Sequence, residues 1–258
     1  MFEAKLAEGV VFKRIVEAIK ELVSDVNIDI SPTGISLQAM DNSHVALVSL
    51  LLSMDGFESF RSDKPMTLGI NIGNLSKIMK LGDSDDSMTL KAEEDPSHLT
   101  IIFENQKKGR FAEFNINLIN IDTEHLSVSD NEGGSQLTMA AGEFSKIMKE
   151  LYQISETVNI ETSQDLIKFS VEGDCGSGSV KIGPTEGETR EDQVVINSEE
   201  QVNLSFALRY LTMFTKASGL SSLVNVSLSN EAPLVVKYEI QNLGSLQYYL
   251  APKISDDE

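Results

Sequence analysis

Tryptophan is absent from these 258 residues, and cysteine occurs once, at Cys175. A single thiol cannot close an internal disulfide, and it rules out a cysteine-rich zinc site. A reducing compartment is therefore expected. The three histidines, His44, His98 and His125, show no metal-ligand spacing. No G-x-x-x-x-G-K-[ST] phosphate loop and no G-x-S-x-G nucleophile elbow appears. The glycines of Gly173-Asp174-Cys175-Gly176-Ser177-Gly178 do not fit a dinucleotide fingerprint; they mark a strand edge or bulge. Long apolar runs are also missing. The longest, Val45–Leu52, is interrupted by Ser49 and reads as a buried strand, far short of a bilayer span. Met1-Phe2-Glu3-Ala4-Lys5 has no apolar leader, and a soluble intracellular protein is the expectation.

Positive charge is scarce too: 21 Lys and Arg face 40 Asp and Glu, for a net charge of −19. Its placement is not random. Four windows with helical periodicity, 10–21, 72–80, 141–152 and 207–217, hold Lys13, Arg14, Lys20, Lys77, Lys80, Lys146, Lys149, Arg209 and Lys216. The same windows contain only Glu17, Glu21, Glu143 and Glu150, while the remainder carries 12 basic and 36 acidic residues. Lys13 and Lys20 are seven apart, as are Arg209 and Lys216. Lys77/Lys80 and Lys146/Lys149 are three apart. Each pair therefore shares a helix face. A repeated basic surface inside an acidic body points to a polyanion site.

The pattern is written twice. Ser76-Lys77-Ile78-Met79-Lys80 recurs as Ser145-Lys146-Ile147-Met148-Lys149. At an offset of 132, Phe12, Ile15 and Val26-Asn27-Ile28 fall on Phe144, Ile147 and Val158-Asn159-Ile160. At 136, Leu68, Leu75 and Lys80 meet Leu204, Leu211 and Lys216. Two copies of one domain are expected, over 1–117 and 135–258, joined by a connector at 118–134. Short strands are expected at 27–31, 34–39, 45–51, 66–70, 88–92, 100–103 and 111–118. In the second copy they fall at 158–161, 166–171, 179–182, 194–196, 201–206, 224–228, 234–240 and 246–250. The class is α+β, with sheets covered on one side by helices.

In the connector, Ile121, Leu126 and Val128 interrupt a polar, acidic stretch. They either pack back on the body or form one wall of a partner groove. The acid clusters Asp83-Ser84-Asp85-Asp86 and Asp130-Asn131-Glu132 are the best metal candidates, but neither matches an EF-hand loop, and both read as solvated turns. Among 40 acids nothing selects a catalytic pair. No catalytic residue, cofactor or metal is expected. An acidic hydrolase using Asp83, Asp85 and Asp86 with a divalent cation is the alternative of a different class.

Four stretches then carry a specific resemblance. They are Met1-Phe2-Glu3-Ala4, Leu37-Gln38-Ala39-Met40-Asp41-Asn42-Ser43-His44-Val45, Phe206-Ala207-Leu208-Arg209-Tyr210-Leu211 and Tyr248-Tyr249-Leu250-Ala251-Pro252-Lys253-Ile254. The chain resembles, nearly end to end, the eukaryotic proliferating cell nuclear antigens, the nuclear sliding clamps of DNA replication. The resemblance implies a closed head-to-tail homotrimer with sheets outside and helices inside, encircling duplex DNA without sequence preference and raising polymerase processivity. It implies that strand 110–117 of one subunit pairs with 176–181 of the next. The seam residues would be Arg110, Ala112, Phe114, Ile116, Cys175, Gly178 and Val180.

The family's DNA-contact segment matches 61–80, adding Arg61 and Lys64 to the nine helix cations. The family's partner groove matches Met40, His44, Val45, Leu126, Val128, Pro233, Tyr249, Leu250, Ala251, Pro252 and Ile254. Implied partners are replicative polymerase, the clamp loader, flap endonuclease and DNA ligase. Three departures stand out. Gln164 replaces a lysine that carries ubiquitin or SUMO in many members, with Lys168 nearby as a substitute. Gly133 replaces an aromatic, and Ser62 a cysteine. A subunit of a related heterotrimeric checkpoint clamp is the close alternative.

Overall fold

The computed structural model describes residues 1–122 and 134–254. The chain divides into two compact units. The first takes Met1–Asn42, Val48–Leu126 and Ile240–Leu246; the second takes Ser43–Leu47, Ser127–Glu239 and Gln247–Glu258.

In chain order the first half contains β1 (Phe2–Leu6), α1 (Gly9–Ile19), β2 (Asp25–Ser31), β3 (Gly34–Met40), β4 (Ala46–Ser53), β5 (Ser59–Ser62) and β6 (Met66–Asn71). It continues with α2 (Ile72–Met79), β7 (Ser87–Ala92), β8 (His98–Asn105) and β9 (Arg110–Asn117). Five strands form a sheet in the order β5-β1-β7-β8-β9, and β4-β3-β2-β6 are neighbours in a second. The second half contains β10 (Ser135–Ala140), α3 (Ala141–Tyr152), β11 (Thr157–Ser163), β12 (Leu166–Gly173), β13 (Gly176–Ile182) and β14 (Val195–Ser198). After these come β15 (Asn203–Ala207), α4 (Leu208–Phe214), β16 (Leu223–Leu228), β17 (Leu234–Ile240) and β18 (Gly244–Leu250). Its strands run β13-β12-β11-β15 and β14-β10-β16-β17-β18. No helix among the described residues is long and apolar enough to cross a membrane.

The repeated apolar positions are the core. Phe12 and Phe144, Ile15 and Ile147, Val26 and Val158, and Leu75 and Leu211 are all buried. Helices of 7 to 12 residues are marginal alone, so packing of that apolar stripe holds them. In α2 the Asn71 side chain also caps the start, accepting from the Asn74 N–H at 2.9 Å. In the first unit α1 packs on α2; in the second α3 packs on α4.

The fourth helical window ends early. The Thr215 hydroxyl donates to the Thr212 carbonyl at 2.7 Å, and the chain tightens into a 3₁₀ turn over Thr215–Gly219. Three strands lie outside the expected set: β1, β5 and β10. Each owes its pairing to neighbours, since Ala4, Ser59 and Gln136 are poor strand formers.

The connector leaves the first unit along β6. The Ile119 N–H donates to the Gly69 carbonyl at 2.9 Å, and the Asn27 side-chain amide donates to the Ile121 carbonyl at 3.0 Å. A Cβ on Gly69 would stand 2.0 Å from the Ile119 carbonyl oxygen, so only glycine admits this approach. Ile121 is half-buried, which fits packing back on the body. Leu126 and Val128 lie outside the described residues.

Under α4, Phe214 stacks on Tyr248 at 4.5 Å, and Tyr238 meets Tyr248 edge-on at 6.4 Å. Burial pushes both phenols up. The Tyr238 hydroxyl is buried with no hydrogen-bond partner among the described residues. Tyr238→Phe removes that desolvated oxygen and keeps the ring. It should stabilise the protein by about 1 kcal/mol and raise the melting temperature by roughly 2–4 °C. Calorimetry showing a fall would reveal a hidden partner for the hydroxyl.

Candidate nucleic-acid and partner interfaces

Each helix turns its apolar side inward, which leaves its cations outward. On α2 the exposed residues are Gly73, Asn74, Lys77 and Lys80, a stripe without an acid. Among the described residues Lys77 Nζ reaches only the Asn74 side-chain oxygen, at 3.4 Å. On α3, Lys146 and Lys149 are exposed beside Glu143 and Glu150, and neither lysine forms an ion pair among the described residues. Arg209 is exposed on α4; its guanidinium lies 4.6 Å from the Tyr210 ring centroid and donates to the Tyr210 hydroxyl at 2.8 Å. Lys216 is exposed on the following turn.

The α1 cations are more constrained. Lys13 is half-buried and donates to the Gly82 carbonyl at 3.2 Å. Arg14 is exposed. Lys20 pairs with Glu17 one turn back, and Glu17 also accepts from the buried Ser76 hydroxyl of α2 at 2.8 Å. Burial pushes the Glu17 carboxyl up, but the Lys20 and Ser76 hydrogen bonds, with the charges of Lys20 and Lys80, outweigh it and hold it below the usual range.

Arg61 and Lys64 are placed differently. Arg61 lies on β5, an edge strand, and donates to Asp63 at 2.8 Å. Lys64 follows that strand and pairs with Glu94. Both are neutralised where they stand, and neither is on a helix.

The acidic turn is not fully solvated. Asp86 is 1% exposed and joins four parts of the first unit. Its carboxylate accepts from Arg110 at 2.6 Å, from the Asn105 amide at 3.0 Å and from the Asp83 N–H at 2.9 Å; its carbonyl accepts from Gly9 at the start of α1. Arg110 also donates to the Leu81 carbonyl at 2.8 Å. Asp83 and Asp85 both hold Lys108. The three carboxylates come within 4.8 Å of one another, and Lys108 and Arg110 already supply the positive charge that a cation would bring. The sequence signal was Lys108 and Arg110 spaced two apart before a strand.

Arg110 opens β9, which among the described residues pairs only with β8, as β13 pairs only with β12. Both are free sheet edges. Along β9, Ala112 and Phe114 are half-buried and Ile116 is buried on one face, while Phe111, Glu113 and Asn115 are exposed on the other. Along β13, Gly178 and Val180 are half-buried between exposed Ser177, Ser179 and Lys181. Cys175 is exposed in the turn before β13.

In the second unit, the segment after β18 is pinned. The Ala251 N–H donates to the Val45 carbonyl at 3.0 Å, and the Lys253 N–H donates to the Ser205 carbonyl at 2.8 Å. Ala251, Pro252 and Ile254 are exposed, Ile254 almost completely, and so are His44 and Pro233. His44 has φ +55°, a left-handed backbone that is uncommon for a side chain of this size. Val45 is half-buried. Tyr249 is buried, with its hydroxyl 2.7 Å from the Gln247 side-chain oxygen, and Leu250 is wholly buried, so Leu250 can act only as support. Met40 ends β3 half-buried in the first unit.

Comparison with known proteins decides what these surfaces belong to. Residues 1–125 match the N-terminal domain of proliferating cell nuclear antigen, and residues 127–253 match its C-terminal domain. The chain belongs to the proliferating cell nuclear antigen family. It is 44% identical over 259 residues to the proliferating cell nuclear antigen of Chaetomium thermophilum, covering 100% of both chains. Its role is that of a DNA sliding clamp and processivity factor in replication and repair. Within that family, exposed helix cations and free sheet edges acquire distinct uses.

Proposed function

We propose that three copies close head to tail into a ring around duplex DNA, with the helices lining the hole and the sheets outside. The observation that carries this reading is the pair of free edges, β9 and β13, in one chain. A heterologous contact between two different edges closes only as a ring or extends as a filament, and unpaired edges invite such pairing. Ala112, Phe114 and Ile116 set bulk on one face of β9, and Gly178 leaves room on β13.

The helix cations Lys13, Arg14, Lys20, Lys77, Lys80, Lys146, Lys149, Arg209 and Lys216 then meet phosphates. Such contacts carry no sequence information and exchange readily, so the ring slides. Arg61 and Lys64, already paired with acids, contribute least. The acidic remainder of the chain disfavours DNA on the outside.

Partners dock on the second unit's exposed surface around His44, Val45, Pro233, Ala251, Pro252 and Ile254, with Tyr249 and Leu250 behind it, and the family resemblance adds Met40, Leu126 and Val128 as contact positions. Polymerase, clamp loader, flap endonuclease and DNA ligase are the partners the family implies, and the nucleus is the site of this work. The chain itself does no chemistry. Gln164 stands in the turn between β11 and β12, where an amide cannot take ubiquitin; Lys168 nearby is held by Glu161 at 3.2 Å.

Light scattering across a concentration series tests the ring. The expected native mass is about three times the 28.3 kDa chain. A persistent monomer would overturn the homotrimer and favour the checkpoint-clamp subunit instead.

A further inference from the structure

Glu17 is an acid of the α1–α2 pair that holds a cation of the proposed channel. Its carboxylate takes Lys20 on one oxygen and the Ser76 hydroxyl on the other, at 2.8 Å, and Lys80 is near enough to act on it. Ser76 is 4% exposed, so its hydroxyl is committed to that acceptor. The Glu17 and Lys20 side chains are 36% and 28% exposed. Solvent reaches both, and an approaching phosphate would find Lys20 already paired.

We infer that Glu17 is an internal counter-ion that competes with DNA phosphate for Lys20 and weakens the grip of the α1–α2 cations on the duplex. The inference rests on the channel reading above. A phosphate that recruits Lys20 must displace the carboxylate, and no condensed counter-ion is released where Lys20 stays on Glu17. A carboxylate built into the protein costs affinity and shortens each contact, which suits a ring that moves. The Ser76 hydrogen bond fixes the carboxylate on the α2 side of α1, where Lys20 and Lys80 both feel it.

The test is fluorescence anisotropy of the full-length protein with a short, open-ended duplex across a salt series. Glu17→Gln keeps an oxygen for Ser76 and removes the charge. The expected result is a slope of log K against log salt steeper by about one, because each released contact adds about 0.9, and binding about eightfold tighter at 0.1 M salt. Lys20→Gln should then flatten the slope more in the Glu17→Gln background than in the natural protein. Ser76→Ala controls for a purely structural tie: it should change thermal stability without steepening the slope.

Equal slopes for Glu17→Gln and the natural protein, or equal effects of Lys20→Gln in both backgrounds, would overturn the inference and leave Glu17 as a helix-to-helix tie. If the natural protein shows no salt-dependent binding, the channel reading itself falls.

Discussion

Replacing Lys77, Lys80, Lys146 and Lys149 with glutamate is expected to abolish stimulation of a DNA polymerase while leaving the native mass unchanged. All four are exposed on the outward sides of α2 and α3, and none is committed to an ion pair among the described residues. Surface substitutions of this kind usually move stability by less than about 0.5 kcal/mol each. Their electrostatic effect is far larger. Each reversal changes the charge by two units, so four take the chain from −19 to −27. Loss of only two phosphate contacts at about 0.9 in slope each costs roughly 60-fold in affinity at 0.1 M salt. Primer extension on a loaded circular template is the measurement. Normal stimulation by a correctly assembled quadruple variant would show that the helix cations do not face DNA.

Asp86→Ala should destabilise the first unit far more than loss of either neighbouring acid. It removes the acceptor for Arg110, Asn105 and the Asp83 N–H at once. Breaking a buried ion pair typically costs about 3–5 kcal/mol. Arg110 is 33% exposed and stays partly solvated, which lowers the expected loss to roughly 2–3 kcal/mol. Melting should fall by about 5–10 °C. Because Arg110 opens the β9 edge, assembly should weaken with it, so the apparent mass should fall on dilution sooner than for the natural protein. A variant that melts normally and keeps its mass would remove Asp86 from any part in holding that edge. Asp83→Ala, which loses one of two acids on Lys108, should do much less.

The doubled helix pattern was legible because burial repeats with it: Phe12 and Phe144, or Leu75 and Leu211, sit at matching places on matching elements. Long apolar strands such as β4 and β17 were legible for the same reason. Strands that depend on neighbours were not. Ser59–Ser62 carries little of its own β preference, and only pairing with Phe2–Lys5 makes it a strand. The helix cations could be read from spacing, since a face is a local property. Their commitments could not. Lys20 and Lys77 look alike in the sequence, yet among the described residues one is held by an acid and the other is not. Asp86 likewise looks like its neighbours Asp83 and Asp85, and only its burial between Arg110 and Asn105 separates them.

The first unit includes Ile240–Leu246, a segment encoded more than a hundred residues after the rest of that unit. Leu243 is buried there, and its carbonyl accepts from the Ser53 N–H at 2.7 Å. A ribosome that has made every earlier strand of that unit has still not made its last piece. The N-terminal half must therefore wait, incomplete, through the synthesis of more than a hundred further residues, and nascent chains of this protein should depend on chaperones until Ile240–Leu246 has been made.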